Sequence, residues 1–426
     1  MATTSPTPTG ATPPTATPST SAASAPTKHH HTHSSSSSHK SENSPAFALI
    51  ASALQIALLI LFGFVVKYGD SASPSTIAAS TTPESLNQYP TFSSAHVFLF
   101  IGFAFWQTGL RRFGYSSIGF TFFFAALAIQ WAIITNGFWD CVTADSWHNF
   151  PLDLLSLARA DHAAFSLMVA LGAVFGALNT VQMLIVLVLE IFFYSINKFV
   201  IEGCLHVVDC GGTLGVFSFA ASFGLALSFI ATRIPKSCAG STESAEKKPE
   251  SEPSEDPERL GSYHNDLFSM LGAIFLWVYF LGFNSALAPY GPAQHRAIVN
   301  TVMSLLGSCV VAFAFSQLLR PEHRFRLQDI QTASIAGGVA IGASASMAVF
   351  PAGALAIGVI TGLCSSASEI FLAPLLFKLR IRDTASTLST FLIPGFIGAI
   401  AATITAGAAK DSVYGDQLVV VFPGHA

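Results

Sequence analysis

One acid sits at the start of a long apolar run: Asp209-Cys210-Gly211-Gly212-Thr213-Leu214-Gly215-Val216-Phe217-Ser218-Phe219. A carboxylate in hydrocarbon costs roughly 2.5–3.5 kcal/mol at mid-bilayer. Such an acid serves either a pathway or a fold-defining junction. In the second case it accepts backbone N–H bonds near a helix start, as a cap. Glu369 poses the same choice, between an acid beside a pore and an acid at the inner membrane edge. A third cluster, Lys28-His29-His30-His31-Thr32-His33, reads as a metal-binding tract or as a solvated low-complexity run. The six cysteines are scattered with no C-x-x-C pair, which suits small buried side chains. Cys141 and Cys204 could meet outside a membrane. The phosphate-loop, zincin, nucleophile-elbow and dinucleotide-binding motifs are not in the chain. An enzyme, a cofactor and a resident metal are therefore not expected. No basic cluster interleaves with aromatics, so nucleic acid is not an expected partner either.

The elements that must position these residues are membrane helices. Hydrophobic residues make up 51% of the 426, and charged residues only 10%, against about 25% charged in a soluble domain. Mean hydropathy is +0.55. Apolar stretches lie near 47–66, 95–110, 117–138, 161–178, 180–197, 210–232, 266–286, 298–318, 331–349, 352–375 and 387–407. Each approaches the ~20 residues that span a bilayer as a helix. The expectation is an all-α polytopic membrane protein with 11 transmembrane helices. Residues 1–45 read as a disordered Ser/Thr/Pro-rich tail, residues 46–410 as the membrane domain, and 411–426 as a short C-terminal tail. A charge-mixed, Pro-broken linker at 233–262 divides the helices and suits an inverted repeat of five plus five.

With the N-terminus in the cytoplasm, fifteen of the 20 Lys and Arg residues fall inside. Lys67, Arg159, Lys198, Arg296 and Lys410 fall outside or near the outer face. The positive-inside rule favours this threading. Four G-x-x-x-G pairs, Gly172/Gly176, Gly211/Gly215, Gly338/Gly342 and Gly358/Gly362, indicate close helix packing.

Ten blocks, in order, carry a resemblance to a known family. Among them are His96-Val97-Phe98 through Arg112-Phe113-Gly114-Tyr115-Ser116, Ala160-Asp161, Asp209 through Gly212, Phe283-Asn284-Ser285-Ala286, Asp383-Thr384 and Ile393-Pro394-Gly395. From about residue 94 to 400 the chain resembles the Rh (Rhesus) branch of the ammonium transporter superfamily. The stretch at 47–66 looks like the extra N-terminal helix of that branch. The resemblance implies a homotrimer, or a heterotrimer with other Rh-type subunits, in a lipid bilayer, with the plasma membrane as the expected location. It implies passage of neutral ammonia, and by analogy carbon dioxide, through one pore per subunit. The chain reaches Ala426 without the long final helix that the family pattern leads one to expect.

The departures from the family lie in the pore. Two histidines line the family's pore, and both aligned positions are phenylalanine here, Phe217 and Phe391. A benzyl ring offers neither a hydrogen-bond donor nor an acceptor. The family's outer gate is a pair of phenylalanines; Phe283 matches one, and His162 stands at the other. That histidine is either satisfied by a neighbour at a helix end or re-supplies imidazole chemistry one layer higher. Asp161 and Asp209 are the acids at helix junctions or in the pathway. In the vestibule, after Asn197, Lys198 stands where some relatives carry an ammonium-recruiting acid, and Glu190 is the expected offset to its charge. Two functions remain open on these residues: an ammonia channel with altered pore chemistry, and a non-conducting Rh-like structural or interaction subunit.

Overall fold

The structure is a computed structural model that describes residues 45–73, 83–109, 114–233, 263–321 and 323–422. The His-containing run at 28–33, the 1–45 tail up to residue 44, nearly all of the 233–262 linker and Arg111-Arg112 lie outside the described residues. Helices in chain order are α1 (Ala46–Val65), α2 (Pro83–Val97), α3 (Gly114–Thr143), α4 (Leu154–Val174) and α5 (Thr180–Cys204). They continue with α6 (Thr213–Ala231), α7 (Tyr263–Ser285), α8 (Pro292–Leu318), α9 (Leu327–Ile341), α10 (Pro351–Lys378) and α11 (Leu388–Gly407). Among the described residues, nine of these are long and apolar enough to cross a membrane. The other two, α2 and α9, are shorter and continue through π and 3-10 turns to Gly109 and Ser344.

Local sequence explains several boundaries. Asp153 and Ser156 form a reciprocal cap on α4, with Ser156 N–H donating to Asp153 Oδ1 at 2.8 Å and Asp153 N–H donating to Ser156 Oγ at 2.8 Å. Asn179 and Gln182 do the same for α5. Each box satisfies backbone donors that a helix start leaves over. Pro292 and Pro351 occupy first-turn positions, where the missing N–H costs nothing. The α4 cap moves that helix start seven residues ahead of the apolar stretch at 161. Asp161 and His162 therefore lie two turns inside the helix rather than at its end.

No hydropathy pattern marks the short parallel pair β1 (Val66–Tyr68) and β2 (Phe150–Leu152), which ties the end of α1 to the start of α4. Three-residue strands are too short for a period-2 pattern.

Small residues set the packing. A Cβ on Gly358 would overlap the Ser304 carbonyl, and one on Gly362 would lie 2.9 Å from Ser308 Cα. The backbones of α8 and α10 therefore touch, as the G-x-x-x-G spacing implies. An Arg320–Asp329 pair with the carboxylate fully buried, bonded through two guanidinium nitrogens at 2.6 and 2.7 Å, closes the start of α9 against the end of α8. Beyond α11, Tyr414 Oη accepts from Ala348 N–H at 2.8 Å, and Leu418 and Phe422 pack on Ala343, Met347 and Ala402.

Candidate functional site

Two helix starts are built alike. Asp209 Oδ2 accepts from the N–H groups of Leu214 (3.0 Å) and Gly215 (2.7 Å). Asp383 accepts from Thr387 (2.7 Å) and Leu388 (2.8 Å), one carboxylate oxygen each. A carboxylate suits the positive end of a helix dipole. Both helices open with a π turn, Thr213–Ser218 and Leu388–Leu392. The eighth residue after each aspartate is a phenylalanine, Phe217 after Asp209 and Phe391 after Asp383. Gly212, at φ 73°, makes the left-handed turn that brings Asp209 back over its own helix. Next to it Gly211 N–H donates to Gly342 O at 3.0 Å, and any Cβ on Gly211 would lie 2.5 Å from Gly342 Cα. Glycine at these positions is what lets the end of α9 meet the start of α6.

The two caps bring their phenylalanines together. Phe217 and Phe391 stack with planes 2° apart and centroids 5.7 Å apart, and both are fully buried. Other rings extend the contact into a column. Phe283 lies 5.6 Å from Phe217, and His162 stacks on Phe283 at 3.9 Å and 20°. In the other direction Trp106 meets Phe391 edge-on at 5.9 Å. Phe165 and Phe98 wall the same column.

A polar cavity lies towards each end. Near His162, a cavity of about 210 Å³ is lined by Trp139, Asp140, Arg159, Lys198 and Glu202 among others. Beyond Trp106, one of about 80 Å³ is lined by Gln107, Asp266, Ser269, Gln331 and Thr384 among others. The ring column is an aromatic neck; the second cavity shares Trp106 with it, and the first is lined by Arg159, one turn before His162 on α4. Such a neck excludes ions, because an isolated charge in an apolar channel costs tens of kcal/mol.

The residues singled out from sequence fall into place as follows. Asp209 is a cap, with Oδ1 left unpartnered. Asp161 is buried and receives His96 Nδ1 at 3.1 Å from both carboxylate oxygens, so it joins α2 to α4 side by side. Asn197 donates to Gly215 O at 3.4 Å and braces the start of α6. Lys198 pairs with Glu202, one turn on. Glu190 is not the offset to that cation. It is fully buried against α4, where Ser166 Oγ donates to its Oε1 at 2.5 Å. Its eight-residue separation from Lys198 puts it more than two turns away along α5, whereas i,i+4 places Glu202 alongside. Glu369 is buried and accepts from Ser386 Oγ at 3.2 Å, beside the start of α11. Cys141 and Cys204 are both free thiols, Cys141 buried against His148 and Cys204 exposed, so they form no bridge.

Sequence reasoning used His96, Gln331 and Asp383 only as marks of the family resemblance and gave no role to them, nor to Trp106, Gln107 and Glu202. The repeated eight-residue interval from aspartate to phenylalanine was a signal that could have found the second cap. The i,i+4 spacing would have found Glu202. Nothing local marks His96 as the partner of Asp161, 65 residues away.

Comparison with known proteins identifies the family and the fold. The profile of the Ammonium Transporter Family matches residues 46–421. The chain belongs to the ammonium transporter family. Within that family it lies in the Rh branch. It is 38% identical over 373 residues to ammonium transporter Rh type C of Canis lupus familiaris, covering 85% of this chain and 76% of the relative. It is 34% identical over 380 residues to ammonium transporter Rh type B of Danio rerio, covering 88% and 79%. Among solved structures, Nitrosomonas europaea Rh50 superposes with a TM-score of 0.61 at 24% identity, over 80% of this chain and 87% of that one. Saccharomyces cerevisiae Mep2 also gives 0.61, at 18% identity, over 81% and 80%. The fold is thus that of the ammonium transporters, and the chain is a multi-pass membrane protein.

Proposed function

We propose that this chain is a membrane channel for ammonia, with the stacked Phe217 and Phe391 rings as the narrowest part of its route. The carrying observation is the pair of acid-capped helix starts that face these rings toward each other in the middle of the bundle. Membership of a transporter family supports the reading, and so does the presence of a polar cavity at each end of the neck.

The geometry dictates what crosses. A small neutral polar molecule loses roughly 2–7 kcal/mol of hydrogen bonding on leaving water, whereas an isolated ammonium loses tens, so only the neutral form can cross between benzyl rings. Ammonium collects at the end cavities and ammonia passes alone. The rings are in contact, so passage requires them to part. Parting them forfeits the pair's own about 0.5–1.5 kcal/mol beyond area burial, together with contacts that Phe217 makes with Phe165, Phe280 and Phe283 and that Phe391 makes with Trp106 and Phe165. Carbon dioxide meets the same size and charge criteria and is a second solute of the neck.

The family architecture further supports a trimer with one route per subunit, in the plasma membrane. The distribution of Lys and Arg supports a cytoplasmic N-terminus, with the Lys198 cavity outside.

The test is flux. Purified protein in liposomes holding a pH dye is mixed with an ammonium gradient. Faster internal alkalinisation than in protein-free liposomes supports the channel; equal rates overturn it.

A further inference from the structure

The two acid caps are not equal. Asp383 uses both carboxylate oxygens, with one N–H on each. Asp209 takes both of its N–H groups on Oδ2. Its Oδ1 has no hydrogen-bond partner among the described residues, although the residue is only 3% exposed. A buried carboxylate with one oxygen idle is costly unless an opposite charge stands close.

That charge is at hand. A Cβ on Gly215 would lie 3.4 Å from Asp209 Oδ2, 3.0 Å from Lys198 Cδ and 3.9 Å from Lys198 Nζ. The ammonium and the carboxylate therefore flank one point at the start of α6. Lys198 is bonded to Glu202, whose side chain is 44% exposed against 13% for the lysine. Water screens the charge of the outer acid more than that of the inner one. Asp209 itself lies in the turn between α5 and α6, outside the spans. Burial pushes its carboxyl up from the ordinary value, and the Lys198 ammonium acts to lower it, helped by the two N–H bonds and opposed by Glu202. Few other titratable groups face it. Helix α4 brings His162 and Asp161, the latter bonded to His96; α5 brings Tyr194; Cys210 is the next residue. The rest of α6, α9 from Gln331 to Ile341 and α11 from Leu388 to Gly407 carry none.

We propose that Lys198 is a positioning residue of the neck: its ammonium is the counter-ion of the Asp209 carboxylate, and so keeps the start of α6 capped and Phe217 at the height where it meets Phe391. Glu202 holds the ammonium in place from the wet side. Lys198 acts through Asp209 and touches no solute in this role. The inference rests on the channel reading only in treating the ring pair as a neck.

The pairing has a signature that packing lacks, because it exists only while Asp209 is ionised. Without the cation the buried carboxyl is pushed up further. The folded protein then holds a proton at Asp209 to a higher pH than the unfolded chain does. The stability lost with the cation is therefore greatest at high pH, and it shrinks as pH falls and the carboxyl takes up that proton.

The test compares the parent with Lys198→Met, which keeps the stem without the charge, and Lys198→Arg, which keeps the charge. Lys198→Gln replaces the methionine variant if that one does not fold. Melting temperatures are measured in detergent at pH 8 and pH 5. Lys198→Met is expected to melt below the parent at pH 8, with a gap that narrows at pH 5, and Lys198→Arg to follow the parent. In an Asp209→Asn background the same substitution should show no gap that changes with pH. Hydrogen exchange at pH 8 locates the effect. The amides of residues 213–217 should exchange about threefold faster in Lys198→Met, the scale of one partly exposed ion pair, while those of 386–391 stay as in the parent. A gap equal at both pH values, a pH-dependent gap that persists beside Asp209→Asn, or unchanged exchange at 213–217 overturns the pairing. Neither readout involves flux, so a chain that conducts nothing overturns the channel and leaves the pairing standing.

Discussion

Phe217 and Phe391, 174 positions apart in the chain, lie with their ring planes 2° from parallel and their centroids 5.7 Å apart. Neither is placed by its own packing alone. Each is the eighth residue after a carboxylate that holds the first turn of its helix. The aspartates thus fix the height at which the rings meet, which makes Asp209 and Asp383 positioning residues for the neck.

Removing either cap should therefore loosen the neck as well as the fold. Asp209→Ala leaves the Leu214 and Gly215 N–H groups unpaired, and Asp383→Ala does the same for Thr387 and Leu388. Each substitution is expected to cost about 1–2 kcal/mol, the upper part of the range for lost helix caps. The check is thermal unfolding in detergent, with the exposed Asp411→Ala as control. Both cap variants should melt below the parent and the control should match it.

Helix contact through glycine gives a second outcome. Gly358→Leu must push α10 off the Ser304 backbone, whereas Gly119, with open space around its Cβ position, should accept alanine. The expected loss for Gly358→Leu is about 3 kcal/mol or more, as for overpacking against backbone. Size-exclusion profiles and melting curves of the two variants separate these cases.

How much of this was legible beforehand differs from one element to another. The α8 and α10 stripes could be read because a span needs about 20 apolar residues and close packing needs small ones. The start of α4 could not be read from hydropathy, since Asp153, Ser156 and Arg159 interrupt the apolar run while the cap begins the helix ahead of them. Likewise α2 starts at Pro83, twelve residues before its apolar stretch. The neck was legible only through the family resemblance that marked Phe217 and Phe391; no local pattern says that two phenylalanines on separate helices will stack. The capping role of Asp209 rests on two N–H contacts that depend on the left-handed turn at Gly212. Partners of the intramembrane acids, Ser166 for Glu190 and Ser386 for Glu369, are serines on other helices, and a serine in a helix carries no sign of what it faces.

Lys198 and Glu202 set the charge of the cavity on the His162 side. Lys198→Ala leaves Glu202 unpaired and turns a balanced cavity, Asp140 and Glu202 against Arg159 and Lys198, net negative. Ammonium should then collect there more readily, lowering the half-saturating ammonium concentration about threefold at low salt, as one partly buried charge within a Debye length implies. The effect should fade at 0.5 M potassium chloride. Flux measured against ammonium concentration at two ionic strengths checks both statements, and no change at low salt would show that the cavity is not on the route.

The central claim is that ammonia crosses between Phe217 and Phe391. The most direct measurement compares ammonia flux through liposomes that are protein-free, that hold the unmodified chain, and that hold Phe217→His/Phe391→His. Imidazoles at the two ring positions give the crossing molecule hydrogen-bond partners that benzyl groups lack, a gain of about tenfold in rate for one bond of ordinary strength. The account predicts flux above the protein-free rate for the unmodified chain and a further rise in the double variant. An unmodified chain indistinguishable from empty liposomes, or a double variant that folds and conducts no faster than its parent, would contradict it.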